Sequence, residues 1–381
     1  MRSDASVRFQ DSIGRSGRWV NDIQWSNDGV TWSPAQLVSG TVTRSLSDQI
    51  HWTASLDLVS GPVSLSTINP YSTRVTIRHG RWFGPNDVEL LQFGRYRVSE
   101  TTYDNESGIL SVELSSYESF VIDAKFLKPT NINDGSADAV LKYCLNGVFG
   151  NVSLYWDPRI AAKRLTPIPG ALIDQDRWNV IDGDDNSVAA TIAGRVIADE
   201  SGGFKVIPVP TLQDDPAAVF NTGELLISRE TEQTTEDVAN IVVATGASVD
   251  GVTIGPVFLR DDDPKSVTFV DRPINSGGFG QIPYFFTSST IGSEAPLIEA
   301  GRAKLAQLLG LKQSVSWSGT HNPLIEPGDV VLIDGARVIL DSVTYDLTGE
   351  PLSAETRTQS TDLLGAVWEV STEDEDDGDD T

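Results

Sequence analysis

Cysteine is almost absent: Cys144 is the single one in 381 residues. One thiol makes no internal disulfide and no cysteine-rich zinc site. Histidine is nearly as scarce. His51, His79 and His321 lie far apart in the sequence, so a histidine metal centre or triad has few candidates. Positive charge is also short: 28 Lys and Arg stand against 54 Asp and Glu, a formal net charge of −26. Eight of the acids, Glu369, Glu373, Asp374, Glu375, Asp376, Asp377, Asp379 and Asp380, form a terminal cluster, and removing them still leaves −18. A field of this sign repels phosphate. It argues against sequence-specific DNA binding and suits a wall that DNA passes without sticking. No run reaches the ~18 apolar residues of a membrane span. Met1-Arg2-Ser3-Asp4 leads into no apolar segment, so no signal peptide is expected and the chain is read as made in a cytoplasm.

What is present fits a turn-rich globular protein of roughly two to four domains, with 39% hydrophobic residues, 33 Gly and 19 Pro. The opening region, up to Lys125, reads as strands: Val38 to Arg44, Trp52 to Val59, Ser72 to His79, Leu90 to Glu100 and Ile109 to Ser116. Thr73 to Arg78 alternates with period two, as a half-buried strand does. Asn27-Asp28-Gly29 is a hairpin signal. The period then changes. Ala137 to Phe149 carries apolar residues at helical spacing, with Ser136 as N-cap and Gly147 as stop. Asp184 to Ile197 reads as a second helix, capped near Asn186 or Ser187, and Glu200-Ser201-Gly202-Gly203 turns into a strand from Phe204 to Val209. From Glu224 the pattern returns to strands: Leu225 to Glu230, Val238 to Thr245, Val252 to Leu259, Thr268 to Val270 and Phe285 to Ser289. A helix from Ala295 to Leu309 follows, with Pro296 harmless in its first turn. The last strands are Lys312 to Gly319, Val330 to Asp334, Arg337 to Tyr345 and Leu352 to Arg357, with a hairpin at Asp334-Gly335. Trp368 is the last residue expected to be anchored, and the acidic residues after it are expected to be disordered.

Motifs with a chemical reading are few. Asp182-Gly183-Asp184-Asp185-Asn186 spaces oxygens as a calcium loop does, but Ser187 and Ala193 stand where that loop needs Gly and Glu. A helix-capping turn is the simpler use. Asp261-Asp262-Asp263 could hold a hard cation, yet loop solvation is commoner. Ser26-Asn27-Asp28-Gly29-Val30-Thr31-Trp32 is near an Asp-box, one residue short and present once, whereas propellers need several blades. No Gly-x-Ser-x-Gly elbow exists, and Cys144 lies on the apolar face of its helix. His321 sits on a turn. Gly277-Gly278-Phe279-Gly280 lacks the Lys-Ser/Thr and the helix of a phosphate cradle. Trp19, Trp25, Trp32, Trp52 and Trp82 fall in the first β region, where core or subunit interface is simpler than a sugar groove. No catalytic, cofactor-binding or metal residue is nominated.

Four stretches in a fixed order carry a resemblance. They are the opening β region with Trp25-Ser26-Asn27-Asp28-Gly29-Val30-Thr31-Trp32, the run from Ala189 to Pro210, Ile227 to Thr245 with Arg229, Glu230 and Asn240, and Ala300 to Leu309 followed by Asn322-Pro323-Leu324-Ile325-Glu326-Pro327-Gly328-Asp329-Val330-Val331. The last is the most specific, and its Pro-Gly-Asp turns the chain into a strand. In these the chain resembles the tail hub proteins of tailed bacteriophages, related to the baseplate hubs of contractile phages and the hub part of secretion-system spikes. The greatest likeness is to tail proteins of actinobacterial siphophages.

The resemblance implies a mainly β fold with small α/β parts: two tube-type β-barrel domains plus peripheral α+β domains. The expected division is a first barrel at 1–127, a small α/β domain at 128–216, a β-rich domain ending in a helix at 217–310, strands completing the second barrel at 311–370, and a disordered acidic tail at 371–381. It further implies a homotrimeric ring at the distal end of the virion's tail tube. Its partners would be the distal tail and tube proteins, the tape-measure protein and tip or receptor-binding proteins, with DNA passing through the lumen unbound. Many relatives carry a lytic or receptor-binding extension that this chain lacks, so an enzyme is not expected, nor a cofactor. The alternatives are a hub or spike component of a phage-derived contractile injection device and, from another class, a carbohydrate-binding or glycosidase β-protein.

Overall fold

Alternation along the sequence becomes alternation in space. In the strand Trp52–Val59, the residues Trp52, Ala54, Leu56 and Leu58 are buried, while Thr53, Ser55 and Asp57 face the other side. Each such leucine, fully buried, is worth about 1.5–3 kcal/mol. A computed structural model describes residues 5–60, 64–128, 130–132, 135–168, 171–173, 176–183, 185–234, 238–249, 252–309 and 312–357. The acidic residues 371–381 and Trp368 lie outside these. The chain is mainly β, 42% strand and 18% helix, in antiparallel sheets with small α/β parts.

The first β region follows a short helix, α1 (Val7–Ser12), and holds β1 (Arg18–Ser26), β2 (Ser33–Ala35), β3 (Leu37–Ser45), β4 (Trp52–Val59), β5 (Arg74–Gly84), β6 (Asp87–Asp104) and β7 (Ile109–Ser115). A middle part holds α2 (Glu118–Asp123), α3 (Ala137–Phe149), β8 (Leu154–Trp156), α4 (Arg177–Asp182), α5 (Val188–Thr191), β9 (Gly194–Ala198) and β10 (Phe204–Pro208). Then come β11 (Ala218–Phe220), β12 (Leu226–Thr234), β13 (Ile241–Thr245), β14 (Val257–Arg260), β15 (Pro283–Thr287) and α6 (Glu294–Leu308). The last strands are β16 (Lys312–Gly319), β17 (Val330–Ile333), β18 (Ala336–Asp346) and β19 (Leu352–Arg357).

Thirteen strands make one sheet. Its path runs β12-β16-β19-β18-β3-β4-β7-β6-β5-β1-β2, and β17 pairs with β18 and β11 off that path. The first and last β regions therefore join edge to edge where β18 pairs antiparallel with β3, Thr344 opposite Thr43. They also share one core, in which Val42, Leu56 and Val112 pack with Val315, Trp317, Val343 and Tyr345. A second core gathers the middle part around Leu141, Cys144, Trp178 and Phe204, over the small sheet β8-β10-β9. A third lies between α6 and the sheet β14-β13-β15.

Helix α3 spans the expected Ala137 to Phe149, and Ser136 accepts from the Ala139 N–H as N-cap. It runs through Gly147 and ends at Gly150, whose φ is +75°. The expected helix from Asp184 to Ile197 is corrected. Ser187 caps it, but only Val188–Thr191 is helical. Ala193 then takes φ +51°, and the β-branched Val196 and Ile197 enter β9, which pairs with β10. Thr268 to Val270 is no strand either: Asp261 accepts from the Thr268 hydroxyl and holds that stretch as a turn. Gly328 does turn the chain into a strand. Its φ is +93°, its N–H donates to the Leu340 carbonyl at 2.7 Å, and β17 begins two residues later.

Candidate functional site

The outward face of the long sheet is built of small hydroxyls. One row of directly opposed residues crosses seven strands: Ser228, Ser318, Ser353, Thr344, Thr43, Thr53 and Ser115. A row on one side carries Glu230, Ser316, Glu355 and Ser342. On the other side run Asp346, Thr41, Ser55, Glu113 and Glu100, then Ser39, Asp57, Ser111 and Thr102. The period of two places this set on one side because the alternate residues form the main core.

These side chains are largely tied to one another. The hydroxyls of Ser228 and Ser318 are 2.6 Å apart, and those of Thr43 and Thr344 2.9 Å. Ser39 and Ser111 both donate to Asp57, at 2.8 and 2.6 Å, and Ser55 donates to Glu113 at 2.7 Å. No histidine, lysine or thiol stands in these rows to activate a serine, so they contain no nucleophile–base pair. Short hydroxyls spaced by carboxylates instead present a face that disfavours phosphate, with a shallow cleft of about 420 Å³ lined by Ser228, Ser318, Thr344 and Ser353.

All three histidines are buried, and they sit at joints between regions. His51 Nδ1 is 3.1 Å from Glu118 Oε1, and its Nε2 is 3.2 Å from Arg195, which ion-pairs with Asp182. Glu118 also accepts the Ala198 N–H at 2.7 Å. Burial alone would raise the Glu118 carboxyl, but these hydrogen bonds outweigh it and hold it below its usual range. The network fastens α2 and the start of β4 to α4 and β9. His79 and His321 meet through their Nε2 atoms at 2.8 Å, with Trp19 stacked on the first and edge-on to the second. Burial pushes His321 down to about 4 and His79 well below its ordinary value, so both stay neutral.

A third joint is ionic. Arg44 of β3 is fully buried, donates to Glu326 at 2.6 Å and to the Phe93 carbonyl at 3.2 Å, and lies against the rings of Trp52, Phe93 and Tyr345. Burial works against its charge, and the Glu326 carboxylate overrides this to leave its pKa raised. The Asn322-to-Val331 stretch thus closes the seam between the first β region and the last strands, besides turning into β17. A cleft of about 590 Å³ opens beside it, between Lys205, Asp157, Asp214 and Gly328.

The remaining candidates have structural roles. Asp185 accepts from the Tyr284 hydroxyl at 2.7 Å and from Lys304 at 3.0 Å, and Asn186 accepts the Ser289 N–H, so this acidic turn joins the middle part to β15 and α6. Asp184 lies outside the described residues. Asp261 is buried on Thr268, and Asp262 is ion-paired with Arg260 at 2.7 Å. Among the described residues, no group of three or more His, Cys, Asp or Glu is placed to hold a metal ion. Asp28 accepts from Val30, Thr31 and Ser26, which hold its carboxyl well below the usual range. Cys144 is buried and its thiol is pushed up to about 12. Gly277 closes a short 3-10 turn. Trp52 is core, Trp19 and Trp25 pack against the main core, and Trp82 is 41% exposed.

Sequence reasoning missed the hydroxyl row, Arg44, Glu118 and a cluster of arginines on β5 and β6. The arginines were visible in principle, since Arg74, Arg78, Arg95 and Arg97 all fall on one face of alternating strands. The row was not, because it exists only through register between strands distant in sequence.

No family profile matches the sequence, and no curated protein matches it. Solved structures do match in fold. The tail protein from Neisseria meningitidis MC58 aligns with 89% of this chain and 96% of its own, at TM-score 0.59 and 12% identity. The 43 kDa tail protein of prophage MuSo2 from Shewanella oneidensis covers 89% and 98%, at 0.58 and 10%. Prophage tail protein gp18 from Listeria monocytogenes EGD-e covers 90% and 96%, at 0.54 and 12%. The chain has the fold of these phage tail proteins over nearly their whole length.

Proposed function

We propose that this chain is a structural hub protein of a bacteriophage tail, acting as a trimeric ring at the distal end of the tail tube. In this reading the first β region, with β12 and β16–β19, supplies two tube-type modules per copy and six per ring. The hydroxyl face lines the passage for DNA and the tape-measure protein, and the ring carries tip or receptor-binding proteins. The observation that carries the reading is the seven-strand hydroxyl row, flanked by carboxylates, on a fold shared with phage tail proteins. The sheet ends add support. Among the described strands, the outer edge of the nine-residue β12 is unpaired, with Ile227 60% exposed, and such an edge invites a neighbouring copy. The narrower assignment to actinobacterial siphophages rests on the sequence motifs.

The test places positive charge on the face. Thr53→Lys and Ser353→Lys sit at exposed positions of the row and leave the core untouched. They are expected to slow DNA release and lower the infectivity of particles, whereas Tyr71→Lys, at a position 89% exposed and outside the row, is expected to be neutral. Equal effects at all three positions would remove the lumen reading.

A further inference from the structure

Beyond Ser115 the hydroxyl row runs into Arg97 of β6 and then Arg74 of β5, directly opposite each other. Like charges so placed repel. Both guanidiniums lie over one ring, Phe120, at 4.2 Å for Arg74 and 5.0 Å for Arg97, and Arg95 lies 5.5 Å from Trp32. Asp123 pairs with Arg97. Among the described residues, neither Arg74 nor Arg95 has a carboxylate partner within ion-pair distance. Three planar, aromatic-backed cations thus share one anion, Asp123, while Arg78 on the same face pairs with Asp22, in a chain whose net charge is −26. Such an arrangement is preorganised for carboxylates arriving from elsewhere.

We propose that this arginine face is the docking surface for the chain's own acidic segment, Glu369 to Asp380. The segment carries eight carboxylates. It can reach the face. From β19 to β5 the sheet path crosses six strand spacings, about 29 Å at ~4.8 Å each and less across a curved sheet. The twelve residues from Arg357 to Glu369 span up to about 40 Å. Tethering supplies an effective concentration in the millimolar range, so several weak ion pairs suffice. A free polyanion such as duplex DNA has no tether and must approach a strongly negative molecule. The docked segment would neutralise the arginine end of this face. This proposal does not depend on the phage reading.

The test uses the full chain carrying Ser371→Cys with a nitroxide label, Cys144 being buried and unreactive. At low salt the label is expected to tumble several-fold more slowly than a free segment, and to be released in about 0.5 M NaCl. Arg74→Gln with Arg95→Gln is expected to release it at low salt. Arg95→Gln alone, at an exposed position, is expected to release it in part, with far-UV circular dichroism unchanged. A label equally mobile in parent and variants at low salt would overturn the proposal. So would slowing that grows with protein concentration, which places the segment on another copy. Salt-sensitive duplex DNA binding lost in Arg95→Gln would also overturn it, because the face would then belong to nucleic acid.

Discussion

The Arg44–Glu326 joint predicts an asymmetry between its two halves. Arg44 is fully buried, whereas the Glu326 side chain is 23% exposed. Glu326→Gln leaves a guanidinium in the core, still pointed at the Phe93 carbonyl but without its counter-ion. Stranding one member of a buried pair costs about 3–5 kcal/mol. Arg44→Met removes the charge that is expensive to bury and fills much of the same volume. It leaves the Phe93 carbonyl short of one donor, about 1–3 kcal/mol, and loses ring contacts worth about 1 kcal/mol, set against relief of the desolvation. Glu326 keeps access to water. The net loss expected for Arg44→Met is about 1–2 kcal/mol by this reckoning. Urea unfolding followed by tryptophan fluorescence reads both, and the midpoint is expected to fall at least twice as far for Glu326→Gln. The double variant should recover part of the Glu326→Gln loss. Were Arg44→Met the more damaging of the two, the buried charge would not be the energetic centre of the seam.

Gly328→Val is expected to lower soluble yield and the thermal midpoint. The new side chain must adopt φ +93°, and its Cβ would lie 3.1 Å from Pro210 and 3.3 Å from Leu46, about 1–2 kcal/mol of backbone strain before any clash. Deleting 373–381 is expected to leave soluble yield unchanged, and the thermal midpoint too in about 0.5 M NaCl, where the acidic segment is released; equal damage from the two changes there would remove the turn reading. His79 and His321 are neutral in the fold, whereas in the unfolded chain a histidine binds its proton near 6.5. The unfolded state then holds more protons below that value. The pair's contribution to stability is therefore complete above about pH 6.5 and is lost as pH falls, at about 1.4 kcal/mol per pH unit for His321 down to about 4, with His79 adding to the loss in the same direction. A flat stability profile between those limits would contradict the buried pair. Duplex DNA is expected to show no binding in a mobility-shift assay at physiological salt, and a micromolar, salt-sensitive complex would refute this.

Much of the fold was legible because its physics is local. Trp52 to Val59 and Leu352 to Arg357 alternate cleanly and are strands over those residues. Ser136 announces α3, and Asp334-Gly335 announces its hairpin, with both residues at positive φ. The second helix failed because small apolar residues in Ala189 to Ile197 fit a helical period and a short buried strand equally well, and Ala193 decides by leaving the helix. The surface was the least legible part. Ser228 and Ser115 are ordinary polar residues until five intervening strands put them in one row. Arg44 likewise reads as an exposed strand residue until Glu326, distant in sequence, arrives to pair with it.

A reconstruction of the tail that contains this chain is the decisive measurement. Three copies are expected around the axis, with Thr53, Thr344 and Ser353 facing the passage and β12 of each copy covered by a neighbour. One or six copies, or a hydroxyl row turned away from the axis, would contradict this.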